Sequence, residues 1–183
     1  MSIRTVLAAA AVAAVAAVPA PAHADPGAPA PIPATAGAWI HGVGHFTYHE
    51  PGTEGHRIRF SVAAVVSAGG TTRGVFGYRH LLPDGQLVDA GSAEVTCVHV
   101  ADGVALVTAV VPEGQGPVAN HAFMLKIIDG VRGAPDRIET LQATNGPTRP
   151  PRYCADTAGY GLLTYPVERG GYRFGSGAHA AWS

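Results

Sequence analysis

Three histidines, His41, His45 and His49, stand at a strict four-residue spacing in AWIHGVGHFTYHE, residues 38–50. Imidazole is a common metal ligand and the side chain that most readily exchanges a proton near neutral pH. On a helix, residues four apart share a face, and two or three of these rings could hold one ion. On a strand, same-face neighbours are about 6.6 Å apart, which puts His41 and His45 about 13 Å from each other. Zinc accepts nitrogen at about 2 Å, so strand geometry excludes direct ligation of one ion by this pair. The elements that carry the histidines therefore decide their chemistry.

Those elements read as strands. In RIRFSVAAVV, residues 57–66, Ile58, Phe60, Val62, Ala64 and Val66 alternate with the intervening positions, the period of a half-buried strand. A second run covers 71–82 after Gly69-Gly70, and Pro83-Asp84-Gly85 supplies a turn before a short strand at 86–90. AEVTCVHVADGVALVTAVV predicts a hairpin turning at Ala101-Asp102-Gly103. On strict alternation Val95, Cys97 and His99 share one face of it, and Thr96, Val98 and Val100 the other. Further strands are expected within 118–130 and at 137–143, 162–167 and 171–174. Eight or nine short strands with Gly and Pro turns and no amphipathic helix imply an all-β fold. An antiparallel β-barrel is the first expectation, with a β-sandwich as runner-up.

On a strand over 38–48, Trp39, His41, Val43, His45 and Thr47 share one face, while Gly42 and Gly44 leave the other nearly bare for close packing or a bulge. The histidine triplet is then surface or pocket lining, and no metal or other cofactor is expected. His45, His99, His121 and Trp39 are the candidates for the rim of a pocket. No histidine has a sequence-assured carboxylate partner, so none is assigned as a general base. Asp129, Asp136 and Glu139 could offer oxygen to calcium, but Arg132 and Arg137 among them favour a structured turn with ordinary ion pairs. Glu50 and Glu54 flank Pro51-Gly52 and could pair with Arg57 or Arg59. A Gly-x-Ser-x-Gly elbow, a phosphate-cradling glycine loop and paired CxxC units are all missing from the sequence.

Residues 1–24 have the layout of a cleavable export signal: Arg4, an uncharged run from Thr5 to Val18, then Ala22-His23-Ala24. Residues 25–37, DPGAPAPIPATAG, read as a Pro/Ala-rich flexible leader, and 38–183 as a single domain. Cleavage would remove one basic residue, Arg4, from the 12 present, leaving 11 against 13 acidic ones. That balance argues against nonspecific nucleic-acid binding, and nothing after the signal is long and apolar enough to span a membrane as a helix. The cysteines, Cys97 and Cys154, are expected to form a disulfide in an oxidising compartment. The expected location is secreted, extracellular or loosely envelope-associated.

GVGHF at 42–46, RFSVAA at 59–64, VTCVHVADGVALVTAVV at 95–111 and the IIDG...PDRIE pattern across 127–139 together resemble a group of small exported proteins of high-GC actinobacteria. The resemblance covers roughly two thirds of the chain after the signal. It implies a secreted all-β domain and carries no catalytic residues with it. The first functional expectation is a non-catalytic binding or envelope-associated domain for a small apolar ligand, a glycan or a protein. The alternatives are a small β-barrel enzyme of isomerase, cyclase or hydrolase type with a histidine-lined cavity, and a secreted inhibitor presenting the loop at 112–117.

Overall fold

The computed structural model describes residues 32–112, 121–143, 153–156 and 163–177. The expected signal, residues 25–31 and most of the 112–117 loop lie outside the described residues. Nine strands appear: β1 (Ala38–Thr47), β2 (Arg57–Val66), β3 (Thr72–Leu81), β4 (Leu87–Ala101), β5 (Val104–Val110), β6 (Ala122–Ile128), β7 (Arg137–Ala143), β8 (Tyr165–Pro166) and β9 (Arg169–Ser176). One 3-10 turn, Val131–Gly133, interrupts them. The strands form one antiparallel sheet in the order β8-β7-β6-β5-β4-β3-β2-β1-β9, curled into a half-barrel. The all-β, barrel-like expectation is met, and one continuous sheet replaces the two facing sheets of a sandwich.

Each neighbouring pair from β1 to β7 is consecutive in sequence, and β2–β3, β3–β4 and β4–β5 are joined by short turns that Gly and Pro make possible. Gly103 at φ +73° and Asp102 at φ +49° turn β4 into β5, a pair of left-handed residues that only such small or polar types adopt readily. The two outermost strands, β8 and β9, are successive pieces of chain, so one segment serves both ends of the sheet. At this seam the Asp136 carboxylate accepts the N–H of Gly130 at 3.0 Å and of Tyr172 at 2.6 Å. Asp136 thus braces a turn, in line with the structured-turn reading, and Glu139 stands 3.8 Å from Lys126.

The concave side holds the core. Alternation in β2 is strict, with Ile58, Phe60, Val62, Ala64 and Val66 buried. Phe60, Phe76, Tyr78 and Phe123 meet in the middle with ring centroids 4.9–6.3 Å apart, edge-on or tilted for most pairs. Gly42 and Gly44 belong to this inner face. A side chain at Gly44 would stand 2.6 Å from the Tyr172 hydroxyl, so these glycines form the slot into which Tyr172 lies. Its hydroxyl then donates to the Phe60 carbonyl at 3.2 Å, satisfying the polar end of a buried ring.

Three expectations change. The strands expected at 86–90 and from 95 are one strand, β4, because Gly91 and Ser92 stay in the ladder opposite Tyr78 and Gly77. Strict alternation in β4 fails at Thr96, where a bulge shifts the register between Val95 and Cys97. The extra residue turns both Val95 and Val98 inward and Cys97 outward, so Val95 and Cys97 do not share a face. Finally, part of the supposed leader is structured. Ile32 bridges Cys154 through two backbone hydrogen bonds, and Thr35 N–H donates to the Val98 carbonyl at 3.0 Å.

Those last contacts build a second, smaller core on the convex side of β4 and β5. Cys97 and Cys154 lie at disulfide distance, their Cα atoms 5.3 Å apart as a bridge requires. With Leu106 they form a buried cluster backed by Ile32, Ala34 and Val104. Thr108 Oγ1 donates to the Tyr153 carbonyl at 3.0 Å. The cysteine pair therefore straps 153–156 and 32–35 over the outer wall. Among the described residues no helix is long and apolar enough to cross a membrane.

Candidate functional site

The convex side of β9, β1, β2 and β3 carries no such strap in the described structure. Alternation dictates what it presents: with Ile58 and Phe60 inside, Arg57 and Arg59 point out. The register then aligns charges across strands. Arg169 of β9 faces His45 of β1, His45 faces Arg59 of β2, and Arg59 faces Arg79 of β3. Neighbouring strands are about 4.8 Å apart, so these four groups form a row across about 14 Å of sheet. Arg57 stands on the same face of β2, next to the row.

His45, Ile58, Leu81 and the four arginines line an open cleft of about 140 Å³. Small side chains border the row on its other flank, where Val43, Ser61, Gly77 and Ser92 face one another in register. All four arginines are exposed. Among the described residues the ion pairs within 4.0 Å involve Lys126, with Glu139 and Asp156, and no carboxylate reaches these guanidiniums. Like charges placed directly opposite one another across strands are unfavourable, so the fold gains nothing from Arg59 against Arg79. Burial lowers the His45 pKa, and the charges of Arg169 and Arg59 lower it further, while Glu168 opposes them. The arrangement suits an anion, which five N–H donors per guanidinium could grip in a fork.

A second group of polar side chains gathers at the end of the half-barrel where the 48–56 loop meets the β3–β4 turn. His56 Nδ1 and His80 Nε2 share a hydrogen bond of 2.8 Å, and the Tyr48 ring packs edge-on against His80. Tyr165 donates its hydroxyl to the Glu50 carboxylate. Burial, then the Glu50 charge, pushes the Tyr48 pKa up to about 12, and burial with the Glu50 hydrogen bond raises that of Tyr165. His80 moves down, through burial and the neighbouring His56, with Asp89 opposing. The histidines here bond to each other and the glutamate to a tyrosine, so the described geometry does not pair a histidine with a carboxylate as a general base requires. The arrangement ties a loop to the barrel end.

The four residues expected at a pocket rim have separate surroundings. His45 lies in the arginine cleft. Trp39, on the same outer face of β1, stacks on His41 with centroids 5.5 Å apart and covers Gly175. His99 sits under the 32–37 segment, its Nδ1 3.0 Å from both Thr35 Oγ1 and the Pro33 carbonyl. His121 precedes β6, where its carbonyl accepts the Val111 N–H. Of the four, His45 joins a cluster of charged groups among the described residues, and that cluster is on the outside. Among the described residues no three His, Cys, Asp or Glu side chains are grouped as a metal ion would need.

Two features escaped the sequence reading. Arg57 and Arg59 are visible in the alternation of β2, but their alignment with Arg79 and Arg169 needs the register, which no local signal sets. The His56–His80 bond joins the residue before β2 to the far end of β3, and neither spacing points to the other. Comparison of the chain with protein-family models, with curated proteins and with solved structures finds no match.

Proposed function

We propose that this chain is an exported, non-catalytic recognition domain that works through its outer wall. The observation that carries the reading is how the described strands pack their concave side: the rings of Phe60, Phe76, Tyr78 and Phe123 touch one another across the space where a barrel ligand would sit. A partner would then meet the convex side. Export is supported by the signal-like residues 1–24 and by the cysteine pair, which an oxidising compartment maintains. An envelope or extracellular setting agrees with the group the sequence resembles.

The test is expression of the full chain in a bacterial host with an oxidising envelope, followed by recovery of the exported form. It is then incubated with a glycan array and with extracted envelope polymer. The expected result is an N-terminus at Asp25, stoichiometric retention on a polymer, and polymer of unchanged mass afterwards. Cleaved or rearranged polymer would overturn the non-catalytic reading, and retention of the protein inside the cell would overturn export.

A further inference from the structure

We propose that the row Arg169–His45–Arg59–Arg79, with Arg57 beside it, is a binding site for a linear anionic glycan whose carboxylate or sulfate groups are taken up by successive strands. This inference rests on the recognition reading above and names the ligand class. Four observations carry it. The first is charge without compensation: four exposed guanidiniums in register or adjacent, with no described carboxylate in ion-pair reach. A fold has no use for Arg59 opposite Arg79, and an anion between them turns repulsion into two charge-assisted contacts.

The second is dimension. The cleft, about 140 Å³, holds one oxyanion group and not a sugar chain, so the polymer must run over the surface and dip its charges in. The third is period. Strands recur every ~4.8 Å across the sheet, close to the length of one hexopyranose unit along an extended glycan, so charges along the polymer can meet the guanidiniums of Arg169, Arg59 and Arg79, with the His45 imidazole, an N–H donor, between the first two. Fourth, the floor beside the row is Val43, Ser61, Gly77 and Ser92, which lets a chain lie flat, and the rings further along this face of β1, His41 and Trp39, are stacked on each other. Single-stranded nucleic acid binding relies on bases stacking on aromatic rings, so a polysaccharide fits this face better than a nucleic acid.

The experiment uses the exported full chain and four probes: heparin, which carries sulfates, polygalacturonate, which carries carboxylates alone, neutral dextran, and a single-stranded oligonucleotide. Titration calorimetry at low salt is expected to show binding to heparin, to polygalacturonate or to both, the comparison telling which oxyanion is preferred, and none to dextran. The double variant Arg59→Ser/Arg79→Ser should weaken binding at least tenfold and reduce the slope of log affinity against log salt by about 2. Arg73→Ser changes an exposed arginine of the same strand β3 opposite Val65, outside the row, and should leave affinity unchanged. Circular dichroism and melting confirm that both variants fold. Equal losses in the two variants, or no loss in either, would overturn the row as the site while leaving the recognition reading in place. Equal or tighter binding of the oligonucleotide would overturn the glycan assignment. Failure of all four probes overturns this inference, and the recognition reading falls with it only if the glycan array is also silent.

Discussion

The outer wall has two halves that are built differently. Over β4 and β5 it is covered: Cys97, Leu106 and Cys154 make a small dry core, Ile32 and Ala34 seal it, and Thr35 hydrogen bonds to Val98 and Val100. Over β9, β1, β2 and β3 none of the described residues covers the sheet, and the side chains around the cleft are arginine and histidine with serine, glycine and valine beside them. Both halves share one concave core, so stability does not require the open half to differ. The contrast separates a face given over to holding the chain together from the one the proposed recognition uses.

Breaking the covered half should produce the largest effect. Cys97→Ser/Cys154→Ser releases a loop of 57 residues' separation, which the chain-entropy model values at about 4 kcal/mol. The denaturant midpoint should fall accordingly, with amide exchange at Ile32 and Cys154 accelerating before that in β2. An unchanged midpoint would mean that the strap contributes no stability. On the open half the sign reverses. Arg79→Ser removes a like charge from opposite Arg59 and is expected to stabilise the unliganded domain by roughly 0.5 kcal/mol, an effect that shrinks with added salt. Destabilisation there would show that the arginines hold the fold.

The smallest effect belongs to the barrel end that both halves share. His80 has a pKa below its ordinary value in the folded state, so the unfolded chain binds the extra proton more readily. Stability present above pH about 6.5 is therefore lost as pH falls from there through the lower folded value. His80→Gln should flatten that part of the stability profile, and a profile that keeps its slope would assign the titration elsewhere.

Strand content was legible because its signals are local. Period two in β2 and the Asp-Gly turn between β4 and β5 need only a few residues each to be recognised. The faces of β4 were not legible past Thr96, since one extra residue inverts every later position and nothing in VTCVHV marks it. Proline content suggested a loose leader, yet Ile32 docks on the backbone of Cys154 and Thr35 on that of Val98 and Val100 in β4. The arginine row lay deepest of all: each member sits on a different strand, and its existence depends on three registers being set together.

The Gly42–Gly44 slot has a kinetic consequence. It is filled by Tyr172, and β1 pairs on its other edge with β9, so the first strand of the sheet completes its contacts only with the last. Such pairings close the longest loops in the chain and form slowly. Until β9 docks, β1 offers an unpaired edge and an apolar furrow to any other chain nearby. The step that adds β9 is thus expected to be the slowest of folding, and the interval before it the one in which the protein is most prone to aggregate.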